Sequence, residues 1–356
     1  MGKPMTEQAL MAPEQIRAAH ADNPGRRDRD LAESLGIAEA QLVAAFVGQN
    51  VTRVMASLDD IFSRLNGLGE VMALTRNPHC VIEKVGQYDN YHSGAHASMV
   101  LTEDIDLRMF PSHWVHAFAV ERATDKGTQR SLQIFDAAGD AVHKIYLRDG
   151  SNLDHWHTLV SELKSEDQSQ VLDVSQRQPT EAPKANTDKV DALRTEWAKM
   201  TDTHQFLRLT SKLKMNRLGA YRIAGEPLAR ALEPGSVTTM FEQVRDQALE
   251  VMVFVGNRGC IEIHGGPIHT LKQMGPWFNV LDPRFNLHLR SDRIAEVWAV
   301  TKPTQRGPAV SVEAFDSEGG LILQVFGRRS GENDHRPAWD ELVAELQSLA
   351  VAEPVQ

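Results

Sequence analysis

The chain has 356 residues, 42% of them apolar and 24% charged, and a formal net charge of −10 at pH 7. That length suggests roughly two domains, and the acidic balance argues against broad affinity for nucleic acid or anionic membrane. No stretch approaches the ~20 apolar residues of a membrane span, and Met1 to Pro13 lacks the basic start and apolar run of a secretion signal, so a cytoplasmic protein without membrane insertion is expected.

The first patterned segment, Arg26 to Gly48, has apolar residues at helical spacing (Leu31, Leu35, Ile37, Leu42), with Gly36 dividing it into two helices. The outline resembles a helix-turn-helix. Its second helix, "AEAQLVAAF", has no cation to read bases, which favours a helical pair packed on the following sheet. Val51 to Leu65 reads as an amphipathic helix. Short alternating runs follow, among them "EVMALTRN", "CVIEKVGQY", "HAFAVERA" and "RSLQIFDAAGD", which predict an antiparallel meander closed by a helix from Asp154 to Leu163. Lys164 to Lys189 is polar, carries two prolines and shows no periodicity, as a linker would. The order then recurs: helices from Val190 to about Leu232, a helix from Val237 to Gln247, a meander, and a final helix from Arg336 to Leu349.

The recurrence extends to the letters. "EVMALTRNPHC" (Glu70 to Cys80) faces "EVMVFVGNRGC" (Glu250 to Cys260), "FDAAGD" faces "FDSEGG", and "IDLRMF" faces "FNLHLR", each pair 180 residues apart (250 − 70 = 180). The expected organisation is one repeat over 12–165, a linker over 166–189 and a second repeat over 190–350. The expected fold class is α+β by tandem duplication, with two antiparallel sheets each flanked by helices. Cys80 and Cys260, the two cysteines, occupy equivalent positions and read as small core residues rather than a disulfide.

Residues shared by both copies serve the fold, so function is sought where the copies differ. Arg108 stands opposite His288, and the segment "EWAKMTDTHQFLRLTSKLKMNRLGAYR" has no counterpart in the first repeat for its histidine and cations. "TDTHQF" predicts a helix start capped by Asp202 or Thr203 with His204 in the first turn. The positive helix end disfavours imidazolium there, and a neutral imidazole can ligate a metal. The alternative is a solvent-facing or locally bonded histidine. Arg108 could likewise pair with Asp104 or Asp106 on its own strand.

Taken in order, "GEVMALTRN…EKVG…DIDLR…HW…FAV…SLQIFDAAGDAVHKIYL", "TDTHQF" and "FNLHLR…W…KPT…FD…G" resemble the bacterial cytoplasmic haemin-transport and haemin-degrading proteins of the HemS/ChuS type, over about Arg26 to Leu349. The resemblance implies two large stacked antiparallel sheets and one haem b (iron protoporphyrin IX) at the side of the second repeat. It implies His204 as the iron ligand, Arg108 as a distal donor reaching across from the first repeat, and Lys214, Arg217, Lys302 and Arg329 as cofactor-binding cations. For Lys214 and Arg217 to face one ligand with His204, the helix must end or bend near Met215 and Asn216, because a straight helix carries positions ten and thirteen residues on to other faces.

Two residues depart from the family pattern: Phe326 stands where relatives commonly have tyrosine, and Gln205 and Phe206 follow His204 where some have further histidines. The implied function is to receive imported haem and either traffic it or degrade it in the manner of a haem oxygenase. With no dinucleotide or flavin signature, degradation would need an external reductase or peroxide. Implied partners are a haem importer ATPase or a downstream haem oxygenase. A haem-responsive DNA-binding regulator using Arg26 to Gly48, and non-haem metal binding by scattered histidines such as His155 and His157, are the other readings.

Overall fold

The computed structural model describes residues 11–349, so most of the stretch read for a secretion signal, and residue 350 of the second repeat, lie outside it. The first repeat contributes helices α1 (Pro13–Ala21), α2 (Asp28–Leu35), α3 (Glu39–Ala44), α4 (Leu58–Leu65) and α5 (Leu153–Leu163). Its strands are β1 (Val51–Val54), β2 (Val71–Arg76), β3 (Cys80–Gly86), β4 (Tyr91–His92), β5 (Ser98–Leu101), β6 (Asp106–Met109), β7 (His116–Thr124), β8 (Gly127–Phe135) and β9 (Ala141–Leu147). The second contributes α6 (Val190–Ala198), α7 (Gln205–Lys212), α8 (Arg217–Ala224), α9 (Ser236–Asp246) and α10 (Arg336–Glu345). Its strands are β10 (Ala229–Leu232), β11 (Val251–Gly256), β12 (Cys260–Gly266), β13 (Leu271–Met274), β14 (Trp277–Asp282), β15 (Phe285–Arg290), β16 (Glu296–Lys302), β17 (Ala309–Phe315), β18 (Leu321–Gly327), β19 (Arg329–Ser330) and β20 (Asn333–Asp334).

Two expected helices begin or end as strands. Val51–Val54 pairs with β7 and Ala229–Leu232 with β16. The β-branched Val51, Thr52 and Val54 suit an edge strand, and the helix starts only after Ser57, whose hydroxyl accepts from Asp60 N–H. The closing helix likewise ends at Glu345 rather than Leu349. Gly36 divides α2 from α3 as expected, in the left-handed region at φ 68°. α3 is buried at Ala40, Val43 and Ala44 against Phe118 and Val120 and at Leu42 against Ile16 and Leu31, which leaves it little surface to enter a nucleic-acid groove.

The two large sheets are antiparallel, and each has nine strands, in the orders β1-β7-β8-β9-β2-β3-β15-β14-β13 and β10-β16-β17-β18-β11-β12-β6-β5-β4. Each therefore takes six strands from one repeat and three from the other. β15 pairs with β3 and β6 with β12, so neither copy holds a complete sheet of its own. The sheets stack face to face around two related cores. One joins Val71, Ala73 and Ile134 of the first sheet to Leu107 and Met109 of the second, with α4 and α5; the other joins Val253 and Val325 to Leu287 and Leu289, with α9 and α10. Cys80 and Cys260 are free thiols, one in each core, with burial pushing both thiol pKa values up.

One core contains a polar chain. Tyr88 Oη lies 2.6 Å from His143 Nε2 and Thr75 Oγ1 lies 2.8 Å from its Nδ1, while the fully buried Glu262 leaves both carboxyl oxygens without a hydrogen-bond partner among the described residues. Burial pushes the Glu262 carboxyl up to about 8 and the His143 imidazole down to about 3, so both are mainly neutral at pH 7. A folded-state pKa above the unfolded 4.5 contributes stability that is complete below 4.5 and lost as pH rises through 8. Glu262→Gln should therefore abolish an alkaline destabilisation of a few kcal/mol (about 1.4 kcal/mol per unit). Its melting temperature should match or exceed that of the wild type at pH 9 and differ least at pH 5. Parallel pH profiles for the two proteins would refute this.

Candidate functional site

Directly paired residues in an antiparallel ladder share a face, so the pairings define what the outer side of the second sheet displays. Arg108 pairs with Ile261, which pairs with Gly256. Two residues along, Phe254 pairs with Gln324, and Gln324 with Glu313, which is opposite Trp298. The next row is Met252, Phe326, Ser311 and Val300. Helices α6, α7 and α8 cover the end of this face nearest β10, where Trp298 and Val300 pack with Trp197, Phe206, Leu209 and Tyr221. The middle is left partly exposed: Met252, Phe254, Ile261, Gln324, Phe326 and Arg108 are all half-buried. Phe254 and Phe326 meet edge to face at 5.4 Å. From β17 to β6 is four strand spacings, about 19 Å, which is the width of this face between the strand under the helices and the strand of Arg108.

His204 occupies the cap position of α7, one residue earlier than a first-turn site, and its N–H donates to Asp202 Oδ1 at 2.7 Å. The imidazole is exposed and makes no hydrogen bond among the described residues. Phe206, two residues on, anchors that end of the helix by stacking on Tyr221 at 5.4 Å and meeting Trp197 edge to face at 4.4 Å. α7 stops at Lys212. Lys214 then takes the left-handed conformation at φ 59°, and Asn216 caps α8 by accepting from Gly219 N–H at 3.0 Å. This turn re-aims the chain between His204 and Arg217, as the facing argument required.

The predicted cations occupy distinct environments. Lys214 is exposed in the turn. Arg217, at the start of α8, donates to Glu313 Oε2 at 2.9 Å. Lys302 is 3% exposed, and its ammonium donates to Glu313 Oε1 and Tyr221 Oη, both at 2.8 Å. Burial opposes charge on Glu313, but Lys302 and Arg217 together outweigh it and hold the carboxyl well below the usual range. Lys302 thus lies on this face but under α7 and α8, against Phe206 and Tyr221, and only Arg217 of this cluster has side-chain surface to offer, 23% of it. Arg108 is turned to Asp106, the local partner foreseen for it, while Asp104 belongs to Arg284 at 3.0 Å.

Arg329 is exposed on the small β19-β20 hairpin. Its neighbour Arg328 lies instead over the second sheet, where a Cβ added to Gly265 would come within 3.3 Å of its Nε; it pairs with Glu250 at 3.0 Å. Arg328 and the strand residues Met252, Phe254 and Gln324 were not singled out from sequence. The alternation that predicted the strands contained the latter three, but not which face would stay open. Among the described residues no cluster of three or more His, Cys, Asp or Glu is placed to hold a metal ion, and no helix is long and apolar enough to cross a membrane.

A duplicated, strand-exchanged β-sandwich with an aromatic outer face bounded by an exposed histidine and an arginine defines a class of small-molecule-binding protein. The chain belongs to the family of the haemin-degrading HemS/ChuX domain, whose model matches residues 36–163 and 214–346. It is 36% identical over 342 residues to the hemin transport protein HemS of Yersinia enterocolitica, covering 95% of this chain and 98% of that one. The fold is similar to that of holo-PhuS, a heme-binding protein from Pseudomonas aeruginosa (41% identity, TM-score 0.90, 95% and 100% of the two chains). It is also similar to that of ChuS, an E. coli heme oxygenase (30% identity, TM-score 0.84, 93% and 99%).

Proposed function

We propose that this chain is a cytoplasmic haem-binding protein that receives imported haem b and either passes it on or opens its ring to release iron. The observation that carries the reading is the half-exposed Phe254–Phe326 face, with His204 on the helices packed against it and Arg108 brought to it by a strand of the other repeat. Membership of a family that includes a hemin transport protein, and likeness to a heme-binding protein and a heme oxygenase, support it.

Haem is a flat apolar disc with two carboxylates on one edge. In this reading His204 supplies an imidazole nitrogen to the metal, and Phe254, Phe326 and Met252 line the disc. Lys214 acts as a point charge and Arg217 as a forked donor for the carboxylates. Lys302 serves by fixing Glu313, and so Arg217, rather than by touching the ligand. Arg108 leaves Asp106 to donate hydrogen bonds over the opposite side of the disc. Arg329, exposed on its hairpin, remains a candidate for the rim beside Arg328.

Incubation of the haem complex with ascorbate under air distinguishes the two fates. Loss of the Soret band with an open-chain tetrapyrrole and released iron identifies degradation with an external electron donor. A Soret band that persists, together with transfer of haem to an acceptor such as apomyoglobin, identifies a carrier. Absence of any haem binding overturns both.

A further inference from the structure

We infer that the linker between the repeats is a working part of the site: residues 182–186, fastened to Asn216, position Lys214 and Arg217 for the carboxylates of the ligand. This rests on the reading of those two cations as carboxylate partners. Lys164 to Lys189 reads from sequence as a linker, and most of it has no regular structure, yet it is fixed along its length. On the first repeat Ser175 N–H donates to Ala137 O at 2.7 Å, and Leu172 is buried in the cluster of Phe118 and Phe135. Arg177 forms a two-pronged pair with Asp140 at 2.5 and 2.6 Å. Further on, Arg258 of the second repeat donates to the carbonyls of Gln178 and Pro179.

The far end lies across the turn between α7 and α8. Asn216 N–H donates to Lys184 O at 3.0 Å and its amide nitrogen to Ala182 O at 2.8 Å. Its amide oxygen accepts from Lys184 N–H at 2.9 Å as well as from Gly219 N–H, the bond that caps α8. Asn186 adds a bond from the linker side, to Leu213 O at 3.3 Å. Lys214 stands between these ties, in a left-handed conformation that residues with a side chain seldom adopt and that persists where the surroundings over-determine it. Two backbone bonds close α7 around it, Lys214 N–H to Ser211 O and Met215 N–H to Thr210 O, and the linker supplies the rest. Arg217 follows Asn216 directly, so the same clamp sets the start of the helix that aims its guanidinium.

α8 is shaped for this contact. Gly219 is buried in its first turn, where the Lys184 carbonyl crosses so closely that a Cβ on Gly219 would lie 1.9 Å from the oxygen. The obstacle is backbone, so no side-chain rotation could relieve it. Alanine is the better helix former, so helix propensity does not account for glycine here and the close approach of the linker does. Pro183 is packed in the same manner against the β17–β18 turn, where a Cβ on Gly319 would lie 2.9 Å from its Cδ.

Equilibrium titration of the full chain with ferric protoporphyrin IX and with its dimethyl ester, which keeps the iron and the ring but has no free carboxylate, tests the inference. Gly219→Ala displaces the linker while favouring the helix. Asn216→Ser keeps a capping hydroxyl but is too short to hold Ala182 and Lys184. Each variant is expected to bind the acid about tenfold more weakly, roughly the worth of one charge-assisted hydrogen bond, and the ester within about twofold of the wild type. The Soret position of the acid complex should stay where it is, because His204 is untouched. Either variant decides alone if the other does not fold. Equal losses for acid and ester overturn the inference, since they mean a general loosening of the helices, and so does wild-type affinity for both; neither result touches the carboxylate roles of Lys214 and Arg217. A wild type that binds acid and ester alike overturns those roles and this inference with them, and one that binds neither overturns the reading of the chain as a haem binder.

Discussion

Replacement of His204 by alanine is expected to weaken haem binding by about 100-fold or more, since loss of a group that merely orients a metal ligand already costs about 10–100-fold, and to move the Soret band. The imidazole is exposed at the cap of α7 and held by no other side chain among the described residues, so its loss should leave the fold and the pocket walls in place. The helix is anchored by Phe206, Leu209 and their neighbours, not by His204. Gln205 and Phe206 follow, so no adjacent histidine can take over. Equilibrium titration and the absorption spectrum read the result. An unchanged affinity and spectrum would reject His204 as the ligand, and a changed spectrum at unchanged affinity would show that another group replaces it.

Residues 1–165 and 190–356, produced separately, should each fail to give a cooperative melt, and should recover one when mixed. Alone, the first fragment would leave β3 without β15 and would strand β4–β6 without a sheet. Val100, Ile105, Leu107 and Met109, each 0% exposed, would lose their core. Four such side chains at 1.5–3 kcal/mol each amount to roughly 6–12 kcal/mol, which is comparable to the whole stability of a typical domain, about 5–15 kcal/mol. Circular dichroism melts and size-exclusion profiles of the fragments and their mixture decide. A monomeric fragment melting like the parent would mean that the exchanged strands can fold back on their own repeat.

The sequence made the doubling legible because buried strand positions tolerate few changes, so "EVMALTRN" and "EVMVFVGN" still align. It did not show the exchange. β6 and β15 occupy the same place in their repeats, and an alternating strand of four to six residues pairs equally well with β3 or β12 on pattern alone. β1 and β10 were absorbed into neighbouring helices because four residues carry too little periodicity to stand apart.

The end of α7 before Lys214 could be anticipated, since a straight helix could not have carried His204 and Arg217 on one face. The pairing of Lys302 and Arg217 through Glu313 could not, since Arg217 and Glu313 are 96 residues apart and nothing local marks Glu313 as buried. Arg328 rather than Arg329 reaches the sheet because the chain leaves β18 into a short hairpin, and that turn decides which of two adjacent arginines faces inward.

The exchange of three strands also says what a single copy of this repeat would have to be. With the pairing kept as it is here, its open edge would be closed by the same three strands of a second molecule, so the unduplicated form would be a symmetric homodimer with two identical faces. The present chain is that dimer with its subunits joined by residues 166–189. Joining removes any dependence of assembly on concentration, and it frees the two faces to change independently: a substitution in a homodimer alters both faces at once, whereas here Arg108 and His288 could diverge.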